Sequence, residues 1–213
     1  MQERLTAWQR SMKRHDWERR RHHEVQAARV VDVEVQQRFL SSEYVTSLTE
    51  CPPVGEFPPL PAEARRARDD LMTVLMVLCA GRPSHVTGIT ASAVPKARIV
   101  CTDGQLRRLI KNFKFKTSAS ATLEVAVSPQ LWRRLLHHAS VERPVLLTPD
   151  TASSDRLFIG MGGGPMSSSS AAKAFKATWR RALPDGDVPE LTASGVRYGA
   201  VVGTAAAEPE AQG

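Results

Sequence analysis

The sequence has no apolar run long enough to cross a membrane. Its most apolar stretch, residues 71–80, covers ten positions, whereas a helix that spans a bilayer needs about 20. Residues 1–5 include Glu3 and Arg4, which is unlike the apolar core of a secretory signal. We expect an intracellular protein without a membrane partner, nuclear in a eukaryote and cytoplasmic in a prokaryote.

Cysteine is scarce, and no metal-ligand pattern is present. Cys51, Cys79 and Cys101 are odd in number and far apart, so neither a disulfide framework nor a zinc site is indicated. A reducing compartment fits this usage best. The histidine pairs at 22–23 and 137–138 are adjacent, which is a poor spacing for shared metal ligation from a helix. We expect no metal and no cofactor.

The glycine-rich segment at residues 160–165 lacks the features of a nucleotide-binding loop. It does not end in the lysine and serine of a P-loop, and no dinucleotide fingerprint with a downstream acid surrounds it. Nucleotide binding is therefore not expected.

Positive charge is in excess. The chain has 29 basic and 22 acidic residues, a net charge of +7 and a pI near 9.8, while 42% of its residues are hydrophobic, enough for a folded core. A surplus of this size suits a partner with dense negative charge, and nucleic acid is the commonest one. On charge alone, a basic protein without such a partner is the alternative.

Proline divides the chain into regions. Five prolines between residues 51 and 61 predict a linker, and before it residues 1–50 are charged and read as a helical arm. We expect a compact domain over residues 62–205 and a disordered tail over 206–213.

Within the domain, helical and strand patterns alternate. Leu71, Val74, Leu75 and Leu78 follow the spacing of a buried helical face, and Gly81 is suited to end that helix. The predicted elements are a helix over 62–80, strands over 97–101, 109–116 and 121–127, and helices over 128–138, 167–183 and 193–205. The pattern predicts an α+β fold that is mainly helical, with a small antiparallel hairpin or sheet on one side.

Arg82 follows the capped helix directly. An arginine at such a helix junction can hold a phosphate with two hydrogen bonds from its rigid guanidinium. The alternative is that Arg82 bonds the free carbonyls of its own helix.

Residues 96–134 carry a local excess of positive charge. This segment contains nine basic residues and two acidic ones, Asp103 and Glu124. The nine are Lys96, Arg98, Arg107, Arg108, Lys111, Lys114, Lys116, Arg133 and Arg134. We expect Arg107, Arg108, Lys111 and Lys114 to contact DNA. Alternatively, the lysines form the solvated face of an edge strand.

Four segments in this order resemble the catalytic domain of the tyrosine recombinases, the phage-integrase family. Arg82 and Ser84 match the context of the family's first catalytic arginine, and Phe115-Lys116-Thr117 matches its lysine hairpin. Leu157-Phe158 and the glycines after it match the approach to the next helix. Arg197 matches the arginine of the family's His-x-x-Arg signature.

The resemblance implies an integrase-like catalytic domain that acts in DNA recombination and integration. Arg82 and Arg197 would grip the scissile phosphate, and Lys116 would protonate the leaving sugar hydroxyl as a general acid. Double-stranded DNA is the implied partner, with self-association as a further possibility.

Three departures from the family pattern argue against activity. His85 stands where the family has an acid, and Ser194, which we expect to contact DNA, stands where it has histidine. Sixteen residues follow Arg197, and Tyr198, in a slot that the family fills with a structural residue, is a poor nucleophile candidate. We expect a degenerate, C-terminally truncated, catalytically incomplete domain derived from a mobile element.

A second hypothesis comes from the N-terminal arm. The arm contains four arginines and two tryptophans, which would suit a non-enzymatic module that binds RNA or an acidic protein. These residues are Arg14, Arg19, Arg20, Arg21, Trp8 and Trp17. Acidic residues dilute the arm, so a solvated helical face explains it equally well.

Overall fold

The computed structural model describes residues 30–52, 58–81, 83–102, 104–112, 123–184, 192–197 and 200. Its elements are α1 (Val33–Leu40), α2 (Glu43–Thr49), α3 (Pro61–Leu78), α4 (Pro83–Val86), β1 (Arg98–Thr102), β2 (Gln105–Asn112), β3 (Leu123–Val127), α5 (Pro129–His137) and α6 (Ser168–Ala182). Residues 193–197 are also helical. Within the described residues, no helix combines the length and apolar character that a membrane crossing needs.

The central helix is α3, whose predicted apolar face is buried at Leu71, Val74 and Leu75 but not at Leu78, which is 39% exposed. Leu71, Met72 and Leu75 are fully buried. The helix ends in a Schellman cap, in which the Gly81 N–H donates to the Met76 carbonyl at 3.2 Å. The left-handed residue of the cap is Ala80, with φ of 44°, and not Gly81 as the sequence suggests. Glycine at 81 instead leaves space for the Cys79 side chain, because a Cβ there would lie 2.7 Å from the Cys79 sulfur.

The sheet has three antiparallel strands in the order β1-β2-β3. Gly104, with φ of +71°, lies between β1 and β2 in the left-handed conformation that a tight hairpin turn requires. Ile110, Val125 and Val127 share one face and are buried in the core. The opposite face of the sheet carries the charged residues Arg98, Arg107, Lys111 and Glu124 together with the apolar Val100, Leu109 and Ala126.

A buried charge cluster closes the end of α5. Arg134 donates two hydrogen bonds to the Glu142 carboxylate, at 3.0 and 2.7 Å, and His138 Nδ1 lies 2.8 Å from the same group. Burial lowers the pKa of His138, so a neutral imidazole donates its Nδ1–H. His138–Glu142 forms a π-helical turn, which brings the three side chains together.

The glycine-rich loop before α6 is tightly closed. Gly162 and Gly163 have φ of 77° and 79°, and the Gly160 N–H donates to the Gly164 carbonyl at 2.7 Å. A Cβ on Gly163 would overlap the Thr151 hydroxyl, so this position has no room for a side chain. Ser167 then caps α6 by accepting the Ser170 N–H at 3.1 Å.

Asp70 of α3 joins three helices from inside the core. Its carboxylate is 1% exposed and accepts hydrogen bonds from Tyr44 of α2, at 2.8 Å, and from Thr178 of α6, at 2.6 Å. Arg181 of α6 pairs with the same carboxylate and donates to the Tyr44 hydroxyl at 2.8 Å. Every oxygen of the carboxylate is thus satisfied, as a buried charge requires.

The helices before the proline-rich segment pack on the core. Phe39 of α1 is fully buried and stacks on Trp179 of α6, with ring centroids 4.5 Å apart and an interplanar angle of 9°. The division of the chain at residues 51–61 stays a prediction. Residues 1–29 of the proposed arm and the tail 206–213 lie outside the described residues.

We predict that Phe39→Ala lowers the free energy of unfolding by about 3–5 kcal/mol, because it removes a fully buried ring and leaves a cavity against Trp179. Denaturant unfolding followed by tryptophan fluorescence measures this change. The control is Gln37→Ala at an exposed position of the same helix, where we expect a change within about 0.5 kcal/mol. Equal stability of the two variants would show that α1 contributes little to the core.

Candidate nucleic-acid interface

Position 82 lies between the C-terminal cap of α3 and the start of α4. The α3 cap ends at Gly81, and α4 begins at Pro83, so the helix junction that the sequence predicts at this point is present. Ser84 is exposed beside it, whereas Val86 is buried. Arg82 itself lies outside the described residues.

The outer face of the sheet presents two of the expected DNA contacts. Arg107 and Lys111 lie on the same side of β2, opposite to the buried Ile110. Lys111 is paired in register with Glu124 of β3, at 2.7 Å, and Arg98 of β1 reaches the same carboxylate at 3.9 Å. The hydrogen bond from Lys111 lowers the pKa of Glu124, so the carboxylate stays charged and offsets part of this basic face.

Arg108 points to the other side of the sheet. Its guanidinium lies 4.2 Å from the centroid of the Trp132 ring of α5, in a cation–π contact. The indole is held in turn by a 2.9 Å hydrogen bond from its Nε1–H to the Val94 carbonyl. Arg108 therefore serves packing between sheet and helix in this structure, in contrast to its neighbour Arg107.

The lysine hairpin is described only at its ends. β2 ends at Asn112 and β3 begins at Leu123, in register with one another. Lys114 and Lys116, expected on the predicted strand 109–116, lie outside the described residues. The antiparallel pairing on both sides agrees with the hairpin that the sequence predicts.

Residues 193–197 carry the last segment of the predicted site. Thr192 caps this helical turn, since its hydroxyl accepts the Gly195 N–H at 3.0 Å. Ser194 is exposed and Arg197 is half-buried, and their three-residue separation puts them on the same side of the helix. Gly195 and Val196 between them are buried. The structure thus brings Ser194 and Arg197 together.

A cationic surface that the sequence analysis missed lies on α6. Lys173, Lys176 and Arg180 are exposed at spacings of three and four residues, and α6 contains no acidic residue. We call these three residues the α6 stripe; it extends about 10 Å along the helix. The signal was available in the sequence, because basic residues recur there at the helical period opposite the apolar positions.

Comparisons with known proteins identify the fold. No protein-family model and no curated protein matches the sequence. A solved structure with a similar fold is that of the XerH site-specific recombinase bound to its difH substrate, in a pre-cleavage complex. The match has a TM-score of 0.51 and 16% sequence identity, and it covers 84% of this chain and 44% of the recombinase chain.

The class that this architecture defines is the tyrosine-recombinase fold. The predicted fold, α+β and mainly helical with a small antiparallel sheet on one side, is thereby confirmed. The chain corresponds to less than half of the recombinase with which it aligns.

The opposite orientations of Arg107 and Arg108 generate a matched pair of variants. We predict that Arg108→Ala lowers the free energy of unfolding by about 1 kcal/mol, because it removes the cation–π contact with Trp132. Arg107→Ala removes the same charge from the outer face, and we expect a change within about 0.5 kcal/mol. Chemical denaturation of both variants measures the difference. A larger loss in Arg107→Ala would contradict the assignment of Arg108 to packing.

Proposed function

We propose that this protein is an intracellular double-stranded DNA-binding protein, derived from a tyrosine recombinase of a mobile element, that has lost strand cleavage. The observation that carries the proposal is the recombinase fold. The family resemblance of the sequence predicts Arg197 and Ser194 at the phosphate-gripping positions, and their location on one helical face is consistent with that prediction. The DNA in the XerH structure belongs to that protein, and we extend DNA binding to this chain as part of the proposal.

Electrostatics supports duplex DNA as the partner. A net charge of +7 favours a polyanion. The described part of the chain has two cationic surfaces, namely the sheet face with the half-buried Arg107 and Lys111 and the exposed α6 stripe. Binding to DNA phosphates is driven largely by the release of counterions, and each neutralised phosphate adds to the salt dependence. Neither surface requires a specific base, so we assign them to the backbone and leave sequence readout open.

The proposed phosphate site consists of Arg82, Lys116 and Arg197. Guanidinium groups hold phosphate oxygens with paired, charge-assisted hydrogen bonds, which suits Arg82 and Arg197. Lys116 at the hairpin would add a third positive charge. Ser194 can offer one neutral hydroxyl to the same phosphate.

The serine at position 194 is the reason to expect that strand cleavage has been lost. In the family signature, a histidine at this position grips the scissile phosphate, and a serine hydroxyl supplies neither a positive charge nor an efficient proton donor. Removal of one donor that stabilises a developing oxyanion costs about 10²–10³ in rate. Binding requires less, because charge and hydrogen bonding to a ground-state phosphate remain.

We predict salt-sensitive binding to duplex DNA that weakens in the Arg82→Ala/Arg197→Ala double variant. Since each lost phosphate contact lowers the slope of log K against log salt by about 0.9, the double variant should lose about 2 from that slope. Fluorescence anisotropy with a labelled duplex over a range of salt concentrations measures it, and the stoichiometry of the complex reports any self-association.

Two further variants show where the DNA lies. Neutralisation of the α6 stripe by Lys173→Gln/Lys176→Gln/Arg180→Gln should lower the slope further, whereas Arg38→Gln at an exposed position of α1 should leave it unchanged. No duplex binding at low salt, or preference for single-stranded RNA over the duplex, would refute the proposal and favour the second hypothesis.

We also predict that the protein forms no covalent adduct with a nicked duplex designed to trap a 3′-phosphotyrosine intermediate. Denaturing gel electrophoresis after incubation detects such an adduct, and an active tyrosine recombinase on its own substrate is the positive control. An adduct that disappears in Tyr198→Phe would show that cleavage is retained and that Tyr198 is the nucleophile.

A further inference from the structure

The segment before α1 is hydrogen-bonded to the helical turn that carries Ser194 and Arg197. The Val31 N–H donates to the Gly195 carbonyl at 3.1 Å. The side-chain amide of Gln36 donates to the Val196 carbonyl at 2.9 Å, across 160 positions of sequence. These contacts are made from α1 and its preceding residues, far along the chain from the predicted phosphate site.

Gln36 is buried in this junction. It is 6% exposed, and its amide nitrogen also donates to the Val31 carbonyl at 2.9 Å. Both amide hydrogens are therefore used, one within the N-terminal segment and one across to the helical turn. A buried polar side chain of this kind fixes geometry, because loss of either bond leaves a buried carbonyl without that donor.

The contacts act on the inward side of the turn. Val31 and Val196 are 2% and 1% exposed, so the junction is packed as well as hydrogen-bonded. With Gly195 and Val196 held from within, the face that bears Ser194 and Arg197 has a defined direction. A turn of five described residues has little stability of its own and depends on such tertiary contacts.

We propose that Gln36 is a positioning residue that holds the 193–197 turn so that Arg197 reaches a bound phosphate. This inference rests on the proposed function for its DNA readout. On this proposal, residues 30–40 contribute to DNA binding by holding the 193–197 turn in place. Neither the recombinase fold nor the charge of the chain implies such a contribution.

The test compares Gln36→Met with Gln37→Met. Methionine keeps the length of glutamine and its helix propensity but cannot donate to the carbonyls. Gln37 is the exposed neighbour on the same helix and receives the same chemical change. Gln36→Glu, which keeps the shape and removes the donors, serves as a second variant, with Gln37→Glu as its charge control.

We expect Gln36→Met to weaken duplex binding about ten-fold, in line with the loss of one charge-assisted contact. The salt slope should fall by about 0.9, the value for one phosphate. In an Arg197→Ala background, the Gln36 substitution should have no further effect, because both changes remove the same contact. Amide hydrogen exchange of residues 193–197 should accelerate in Gln36→Met and stay unchanged in Gln37→Met.

Other results would distinguish failure of the positioning role from failure of the proposed DNA binding. Additive effects of Gln36→Met and Arg197→Ala, or reduced stability with an unchanged salt slope, would overturn the positioning role and leave Gln36 purely structural. Unchanged exchange in residues 193–197 would overturn it as well. If the wild type does not bind duplex DNA, the proposed function fails, and the exchange data alone decide whether Gln36 holds the turn.

Discussion

The carboxylate of Asp70 sits where α2, α3 and α6 meet, and the arrangement of these helices depends on it. Its partners come from both sides of the chain, since Tyr44 lies 26 residues before it and Thr178 lies 108 residues after it. The loss of one hydrogen-bond donor to this carboxylate costs about 1–3 kcal/mol, because the buried charge stays in a medium that solvates it poorly. The stacking of Phe39 on Trp179 adds an apolar contact between α1 and α6. The N-terminal helices therefore belong physically to the core that α3 and α6 form.

The positions of the basic side chains around this core follow the two-residue period of strand β2 and the helical period of α6. On β2, alternation places Arg107 and Lys111 outward and turns Arg108 inward, onto Trp132. On α6, the helical period gathers three cations along one exposed side, opposite Phe175 and Trp179. Secondary structure thus decides which basic residues face outward, where a partner can contact them, and which pack against other parts of the protein. The same count of charges in another register would leave a different surface.

Much of the fold follows from local patterns, and the remainder depends on contacts between distant residues. The spacing of Leu71, Val74 and Leu75 predicts α3, and Ser128-Pro129 predicts the start of α5, because both signals are written in adjacent residues. The inward direction of Arg108 could not be read from its sequence, because register and the position of Trp132 decide it. Nor could the bond from Gln36 to Val196, since glutamine in a polar helix is usually solvated. The catalytic and DNA-binding roles of all the predicted site residues remain predictions.

The fit of Gly163 against Thr151 has a consequence for the helix that follows. The loop closes within a few residues, through the Ile159–Pro165 bridge and the Gly160–Gly164 bond, and α6 starts at Ser168. A Cβ at Gly163 would overlap the Thr151 hydroxyl and lie 3.1 Å from the Thr148 backbone nitrogen, so a side chain there requires the loop or Thr151 to move. Helix α6 begins five residues after Gly163. The placement of the helix that carries Lys173, Lys176 and Arg180 is thus linked to a neutral residue that has no side chain.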